Sequence, residues 1–353
     1  MTSPRRLRML DDRRAALETC GYCPKLCRAA CPVSEVEASE ALIPWGKMTL
    51  TWYAARGDLT PDRDLARLPW ACTACFGCRE RCEHQNPVAQ TLVAARAVYR
   101  EDGLAPAASE AAHRRITAAR ERLATRAREL ATGDARADTA LVVGCGYLGS
   151  RGREANDVVR AARALFGAVR VLDGCCGVAL EEAGDAAGAR ELRDALVAEA
   201  DGRRLVVADA GCAAALRGAG AETLVEAAAQ RAERLERIAS SFGPFRWHDP
   251  CRLARGLGVT REPRLVLERA LGAPPAEFER AGADTRCSGA GALLPFVMPR
   301  TARLIARDRL AEHEKLGGGT IVTACATSLG WFRAQGARAI DLSTIIARSL
   351  TSG

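Results

Sequence analysis

Short apolar runs alternate with amphipathic stretches over the C-terminal two thirds of the chain. The runs typical of buried strands lie at 140–143, 169–172, 205–208, 245–248, 320–323 and 339–340. Helical spacing of apolar residues occupies 153–166, 181–200, 222–240, 263–271, 298–315 and 342–350. Short strands that alternate with helices favour parallel sheets covered by helices. We therefore predict an α/β region from residue 139 onward.

The N-terminal part has a different pattern, in which helical segments join polar loops. Helical spacing predicts helices at 47–56 and 87–99, and a long polar helix at 107–131. Residues 132–138 are small and polar, as is typical of a linker. The fold class predicted for the whole chain is α+β, with a helical domain at 1–105, a helix and linker at 106–138, and the α/β region after them.

Composition and charge narrow the class of protein. The chain has 353 residues, 48% hydrophobic and 27% charged, with a net charge of +8. The basic excess is spread along the chain without an aromatic-containing basic stripe, so we expect no nucleic-acid partner. No export signal and no long apolar run is evident, which predicts a cytoplasmic protein with reduced thiols. Peripheral contact with the cytoplasmic face of the membrane stays open.

Eight of the fifteen cysteines form two tight quartets. The second quartet has the spacing C-x2-C-x2-C-x3-C, which wraps a cubane iron–sulfur cluster. The first has one extra residue before its third cysteine and keeps a proline after its fourth. This pattern predicts two [4Fe-4S] clusters. The predicted ligands are Cys20, Cys23, Cys27, Cys31, Cys72, Cys75, Cys78 and Cys82.

The fourth cysteine of such a run binds the other cluster in two-cluster ferredoxins. By that logic one cluster takes Cys82 with the first three cysteines of the first quartet. The other takes Cys31 with Cys72, Cys75 and Cys78. Zinc is the alternative metal, because paired C-x2-C knuckles also bind zinc. A zinc-stabilised interaction scaffold therefore stays open.

The other seven cysteines repeat at similar intervals in two halves of the α/β region. The first half carries Cys145, Cys175, Cys176 and Cys212, and the second carries Cys251, Cys287 and Cys325. Most of them adjoin predicted strand ends, where ligands of parallel sheets bind. We therefore predict two pseudo-repeated half-domains, at 139–243 and 244–353, with cofactor-binding cysteines. Cysteines packed as small buried hydrophobes are the simpler alternative.

A dinucleotide-binding fingerprint, Gly144-Cys-Gly146-Tyr-Leu-Gly149, follows the first strand. The corresponding segment of the second half, 248–255, keeps the cysteine and loses the glycines. The element that the halves share is thus Cys145 and Cys251, which argues against a nucleotide site. His248 and Asp249 could handle protons, although a helix-capping aspartate and a hydrogen-bonded histidine explain them more simply.

The chain resembles a family of CCG-domain iron–sulfur proteins. The family includes iron–sulfur subunits of heterodisulfide reductase, glycolate oxidase and anaerobic glycerol-3-phosphate dehydrogenase. The resemblance is carried by both quartets, Pro44-Trp-Gly-Lys, Cys-Cys-Gly at 175–177, His-Asp-Pro-Cys at 248–251 and Cys-Ser-Gly-Ala-Gly at 287–291. It implies a ferredoxin-like helical domain that relays electrons between a flavoprotein dehydrogenase or other redox subunit and a quinone or disulfide.

The sequence departs from that family at three positions. Ser288 replaces a cysteine of the second Cys-Cys-Gly motif, and Ala215 and Ser328 stand where further thiolates would close a site. These departures favour an electron-transfer subunit with a single further cluster in the first half, or with one site shared across the two halves. The alternative is a thiol–disulfide enzyme in which Cys175 and Cys176 are the catalytic thiols. Whether this chain itself catalyses a reaction stays open.

Overall fold

The structure is a computed structural model that describes residues 7, 10–23, 25–131, 136–238 and 244–350. The chain is a mixture of helices and parallel sheet. The α-helices are α1 (Arg14–Gly21), α2 (Pro32–Val36), α3 (Pro44–Arg56), α4 (Arg63–Trp70), α5 (Gly77–Glu80), α6 (Val88–Glu101), α7 (Ala107–Leu130), α8 (Cys145–Leu148), α9 (Glu154–Phe166), α10 (Val178–Glu182), α11 (Ala186–Ala200), α12 (Ala210–Leu216), α13 (Leu224–Ala229), α14 (Arg261–Leu271), α15 (Leu294–Val297), α16 (Pro299–Lys315), α17 (Ala326–Ala334) and α18 (Leu342–Ser349). The strands are β1 (Thr139–Val142), β2 (Arg170–Val171), β3 (Arg204–Val207), β4 (Glu222–Thr223), β5 (Phe245–Trp247), β6 (Thr320–Thr323) and β7 (Ala339–Asp341).

The chain divides into two compact units, each assembled from separated segments. The helical unit comprises Met1–Thr117, Ala179–Ala189 and Arg286–Arg309. The sheet unit comprises Ala118–Val178, Arg190–Thr285 and Leu310–Gly353. The ranges 1–105, 106–138, 139–243 and 244–353 stay a prediction about domains, because the compact units follow contacts rather than chain order. Linker residues 132–135 lie outside the described residues.

The helical unit is built around one apolar core, in which α1 packs on α3 and α6 contacts α3 and α4. Helix α3 begins at Pro44, whose missing N–H costs nothing there, and ends before Gly57, which adopts a left-handed φ of 88°. Asp62 caps α4 by accepting hydrogen bonds from two backbone N–H groups. The largest side chains of this core are Trp52, Trp70, Tyr99 and Met48.

Arg96 on α6 holds the three segments of the helical unit together. Its side chain is buried, and its N–H groups donate to the backbone oxygens of Pro69, Cys72, Glu182 and Ala292 at 2.7–3.2 Å. A guanidinium carries five donors in a fixed fork, so one side chain can satisfy carbonyls from several directions. These bonds explain why the segments around residues 182 and 292 fold with the cysteine quartets.

The sheet unit contains two parallel sheets. One has the strand order β2-β1-β3-β4, and the other has the order β5-β6-β7 with an additional parallel bridge between Arg246 and Ala276. Strands β1 and β6 are buried along their whole length. Strands buried on both faces appear as continuous apolar runs, which is why the sequence located them well.

The predicted helix at 222–240 is wrong at its start, and the helix that forms there is shorter than predicted. Residues 222–223 form the edge strand β4, and α13 begins only after Thr223, which forms a capping box with Glu226. Residues 239–240 of that prediction lie outside the described residues. The predicted helix at 181–200 is interrupted, since Gly184 adopts a left-handed φ of 88° between α10 and α11. Within the described residues no helix is long and apolar enough to cross a membrane.

Candidate iron–sulfur sites

The two N-terminal quartets lie in tight loops of the helical unit. Cys20 is near the end of α1, and Cys31 precedes α2. The loop that carries Cys72 and Cys75 connects α4 with α5, and Cys78 lies in α5. In that loop Ala74 and Phe76 have φ values of 48° and 60°. Non-glycine residues with such backbone angles persist only where the surroundings require them, often at functional sites. The tight curl points the Ala74 N–H at Cys72 Sγ, 3.3 Å away.

Electrostatic interactions link the thiols of the two quartets. Cys20 interacts with Cys27, Cys23 and Cys82. Cys78 interacts with Cys72, Cys75 and Cys31, and more weakly with Cys27. Cys27 interacts with Cys23 and also with Cys31, so the two groups adjoin at Cys27. The last cysteine of each quartet thus lies near cysteines of the other quartet.

The chemistry of these thiols suits metal ligation. None of the fifteen cysteines forms a disulfide. Burial raises the pKa of Cys20 to about 12, and burial also raises the pKa of Cys72 and Cys78. Thiolates confined there without a cation would be costly, and metal ligation supplies that cation. Hydrogen bonds to sulfur from Asn86 Nδ2 on Cys20 (3.1 Å) and from the Ala74 N–H on Cys72 are of the kind that tune iron–sulfur clusters.

Among the described residues, no three His, Cys, Asp or Glu side chains are grouped to hold one metal ion.

A third group of thiols lies at the carboxyl ends of the first sheet. Cys145 follows β1, the adjacent Cys175 and Cys176 follow β2, and Cys212 lies in α12 after β3. Cys176 Sγ donates a hydrogen bond to Cys212 Sγ at 3.2 Å, and Cys145 is hydrogen-bonded to Cys175. The structure thus brings together all four cysteines predicted in the first half.

These thiols differ in acidity because of their contacts with one another. Hydrogen bonds with Cys145 and then Cys176 lower the pKa of Cys175. The hydrogen bond with Cys175, followed by burial, raises the pKa of Cys145. Hydrogen bonds with Cys175 and Cys212, together with burial, raise the pKa of Cys176. Cys175 is therefore the thiol of this group that ionises first, as a metal ligand or nucleophile must.

The glycines of the dinucleotide-like fingerprint are explained by close packing around this site. Gly144 has a φ of 96°, and a Cβ there would lie 2.9 Å from Asp209 Cβ and 3.6 Å from Cys212 Sγ. A Cβ on Gly146 would lie 2.6 Å from Ala326 Cβ. Each glycine thus permits a close approach beside a cysteine, and the fingerprint needs no nucleotide to account for it.

The second half assembles fewer thiols. Cys251 precedes a π-helix at Arg252–Gly256, a rare element that is frequent at functional sites. Cys325 precedes α17, interacts with the charge of Cys251, and is hydrogen-bonded to Ser328. Ser328 therefore lies beside Cys325. A cysteine at position 328 would have supplied a further thiolate, and this chain has a hydroxyl there instead.

Cys287 belongs to the helical unit, whereas Cys251 and Cys325 belong to the sheet unit. It is buried, and the N–H of Gly289, which has a φ of 85°, is directed at its Sγ at 3.3 Å. Ser288 beside it is also buried. Sequence position alone did not indicate that this motif folds with the quartets.

The polar pair before Cys251 has a structural role. Asp249 accepts hydrogen bonds from the Trp247 indole, from Arg264 and from the Gly282 N–H at 2.7–2.9 Å. The expectation that it caps a helix is wrong. The ring of His248 is buried edge-on against Phe332, with ring centroids 4.9 Å apart.

Asp209 is the site residue that the sequence analysis missed. Its Oδ1 accepts hydrogen bonds from the N–H groups of Gly211 and Cys212, and its Oδ2 accepts one from Ala326 N at 2.9 Å. Burial raises the pKa of this carboxyl. Asp209 thereby fixes the backbone at Cys212 and next to Cys325. An aspartate between a strand and a helix is a helix-cap signal, which could have revealed it.

Comparison with known proteins now identifies the parts of the chain. Residues 16–86 match the 4Fe-4S dicluster domain, and residues 139–217 and 245–333 both match the cysteine-rich domain called CCG. The chain is therefore an iron–sulfur protein that combines a dicluster domain with two cysteine-rich regions. These matches confirm the resemblance, the iron–sulfur cofactors and the coarse fold predicted from the sequence.

Two groups of curated relatives are similar to part of the chain. A polypeptide of the dihydromethanophenazine:CoB–CoM heterodisulfide reductase is 33% identical over 79 residues in Methanosarcina barkeri and in Methanosarcina acetivorans. A polypeptide of the fumarate reductase (CoM/CoB) of Methanothermobacter marburgensis is also 33% identical over 79 residues. The match covers 22% of this chain and 16–19% of those proteins, so it spans less than a fifth of their length.

Proposed function

We propose that this chain is the iron–sulfur electron-transfer subunit of a multi-subunit oxidoreductase. It would relay electrons between a flavoprotein dehydrogenase partner and a quinone or disulfide acceptor. The observation that carries this proposal is the presence of three groups of clustered thiols, none of them in a disulfide, in a chain with a dicluster domain and two cysteine-rich regions. Clusters bound there would supply one-electron transfer without acid–base chemistry.

The chain's own residues would bind and insulate two cubane clusters. Cys20, Cys23, Cys27 and Cys82 would hold one, and Cys31 with Cys72, Cys75 and Cys78 would hold the other. The electrostatic grouping of the thiols supports these crossed sets. Crossing ties the segment before α3 to the segment after α4, so binding of the clusters would also stabilise the fold.

We further propose that the sheet unit consists of two related halves, of which the first holds a further cluster. The order β2-β1-β3-β4 is paralleled in the second sheet by the bridge at Ala276, then β5, β6 and β7. Cys145, Cys175, Cys176 and Cys212 form a four-thiol set in the first half. In the second half Ser328 takes the place of a thiolate beside Cys325.

Iron, sulfide and EPR analysis of anaerobically purified protein tests this proposal. The quartets alone predict about eight irons per chain, and a further cluster predicts more, with an additional EPR signal. Cys176→Ser should remove the additional signal, whereas the matched change Cys251→Ser should leave it. Zinc without sulfide would contradict the proposal. A signal that survives Cys176→Ser would contradict the placement of the further cluster.

A second candidate function is supported by the contact between Cys176 and Cys212. Thiols 3.2 Å apart beside the acidic Cys175 suit a thiol–disulfide enzyme in which Cys175 and Cys176 are catalytic. Such an enzyme should reduce a disulfide substrate with reduced methyl viologen as the electron donor, and Cys175→Ser should abolish the turnover. Fully loaded protein without turnover would leave the electron-transfer subunit as the better description.

A further inference from the structure

Lys47 is a buried cation in the interior of α3. The chain contains three lysines among 51 basic residues, so lysine is rare in it. The side chains of Lys25 and Lys315 are 41% and 75% exposed, whereas Lys47 is 1% exposed. A buried ammonium is therefore a specific feature of this position.

Sulfur is the described partner of the Lys47 side chain. Its Nζ donates to Cys31 Sγ at 3.8 Å. Among the residues that the structure describes, the ammonium forms no ion pair with a carboxylate. Burial of an unpaired charge costs several kcal/mol or more, so Lys47 requires nearby negative charge.

That negative charge lies on one of the two proposed ligand sets. Lys47 contacts Cys31, which belongs to the proposed set that also takes Cys72, Cys75 and Cys78. The buried guanidinium of Arg96 donates to the Cys72 carbonyl oxygen at 2.7 Å, so a second cation adjoins the same set. Cys20 in the other set receives a hydrogen bond from the neutral amide of Asn86 at 3.1 Å.

We infer that Lys47 is the counter-charge of the cluster bound by Cys31, Cys72, Cys75 and Cys78, and that it raises the reduction potential of this cluster. Reduction adds one electron and one negative charge, and no bond forms or breaks. A nearby cation stabilises the more negative form because the interior screens charge weakly. The positive charge of Lys47 therefore favours the electron on the cluster bound by Cys31 over the other proposed cluster. The inference rests on the proposed ligand sets.

A redox titration followed by EPR compares the wild-type protein with Lys47→Met, Lys47→Arg and Lys315→Met. In Lys47→Met the reduction equilibrium constant of one cluster should fall at least tenfold, which is about 59 mV for one electron. The other cluster should be unchanged. Lys47→Arg keeps the charge and should recover most of the potential. Lys315→Met removes a lysine that is 75% exposed and should move neither potential.

The outcomes separate this inference from the proposed function. Eight irons with both potentials unchanged in Lys47→Met would overturn the role of Lys47 and leave the electron relay intact. Fewer than eight irons in the wild-type protein would instead contradict the cluster assignment and, with it, the proposed function.

A second measurement covers the case in which Lys47→Met fails to bind its clusters. The double variant Lys25→Met, Lys315→Met leaves Lys47 as the only lysine, so ε-15N-lysine labels a single side chain. Pulsed EPR of the reduced protein should then detect coupling between the cluster and this nitrogen. Absence of coupling in the reduced, fully loaded protein would overturn the inference.

Discussion

Buried charges and polar side chains of this protein fall into two kinds. Asp249 is held by several hydrogen bonds and stabilises the fold where it stands. Lys47 and Asp209 adjoin cysteines and act on candidate ligands. Arg96 does both, because it joins separated segments and also donates to the Cys72 carbonyl oxygen. Burial is common to all four, so their roles follow from what each side chain contacts.

Asp341 permits a prediction about pH. Its carboxyl accepts hydrogen bonds from the Tyr147 hydroxyl at 2.5 Å and from Ser343 N at 2.9 Å. Burial raises the pKa of Asp341 to about 6, above the value of about 3.9 in an unfolded chain. The native state therefore binds more protons between these values, and the stability contributed by Asp341 is lost as the pH rises through 6.

In Asp341→Asn the cost of burying this charge disappears. From pH 5 to pH 7.5, the unfolding free energy of the variant relative to wild type should increase by roughly 1 kcal/mol. Anaerobic urea titrations at both pH values measure this change. Asp201→Asn, at a side chain that is 73% exposed, is the control and should show no such trend. A constant difference between Asp341→Asn and wild type would refute the argument.

At the scale of elements, the loops carry the site and the helices position them. The segment 287–293 packs directly on the loop of the second quartet. A Cβ on Gly291 would lie 2.4 Å from the Thr73 carbonyl oxygen, and Ala292 shares an apolar cluster with Ala74 and Phe76. Because the obstructing atom is backbone, the clash would have to move the loop that carries Cys72 and Cys75.

Gly291→Ala should therefore weaken binding of the cluster that takes Cys72 and Cys75 as ligands. We expect a loss of about 1–3 kcal/mol in stability, as for other overpacked sites, and fewer than eight irons per chain. Gly330→Ala is the matched control, since nothing lies within 4 Å of a Cβ there and alanine favours the helix α17. Iron analysis and thermal melts compare the two variants. Full iron loading in Gly291→Ala would show that the loop adapts.

The whole molecule consists of two units that depend on metal to different extents. The core of the helical unit adjoins Cys20, Cys72 and Cys78, whereas the sheet unit has its own cores built on the two parallel sheets. In the helical unit, removal of iron would break the links between the two quartets and leave the buried Lys47 without the negative charge of a cluster, which opposes the folded state. In the sheet unit, most buried side chains are aliphatic and need no metal.

Removal of iron should therefore loosen the helical unit selectively. After anaerobic chelation, amide hydrogen exchange should accelerate in α1, α3 and α6 by at least tenfold, while β1, β3 and β6 keep most of their protection. Protein incubated without chelator is the control. Equal loss of protection in both units would indicate that the fold unfolds as one cooperative system.

Much of the coarse fold and of the candidate chemistry was predictable from local patterns. Strands buried on both faces at Leu141 and Ile321 give continuous apolar runs, and close cysteine spacing limits which thiols can meet around one cluster. Edge strand β4 and the short helices α12 and α17 were not recognised. Each of these elements is too short to show a clear period of apolar residues, and the longer helices around them dominate the pattern.

The sequence by itself determined that the chain carries two four-thiol sites and favoured iron–sulfur clusters over zinc, because thiolate number and spacing are local properties of the chain. It also determined the two kinds of architecture, helical and α/β, from the period of the apolar residues. Only the tertiary structure decided that Cys287 folds with the quartets, that Arg96 joins three separated segments, and that Lys47 lies against Cys31. Those facts depend on contacts between residues far apart in the chain. The free energies of these contacts come from burial and charge, which residue spacing alone does not encode.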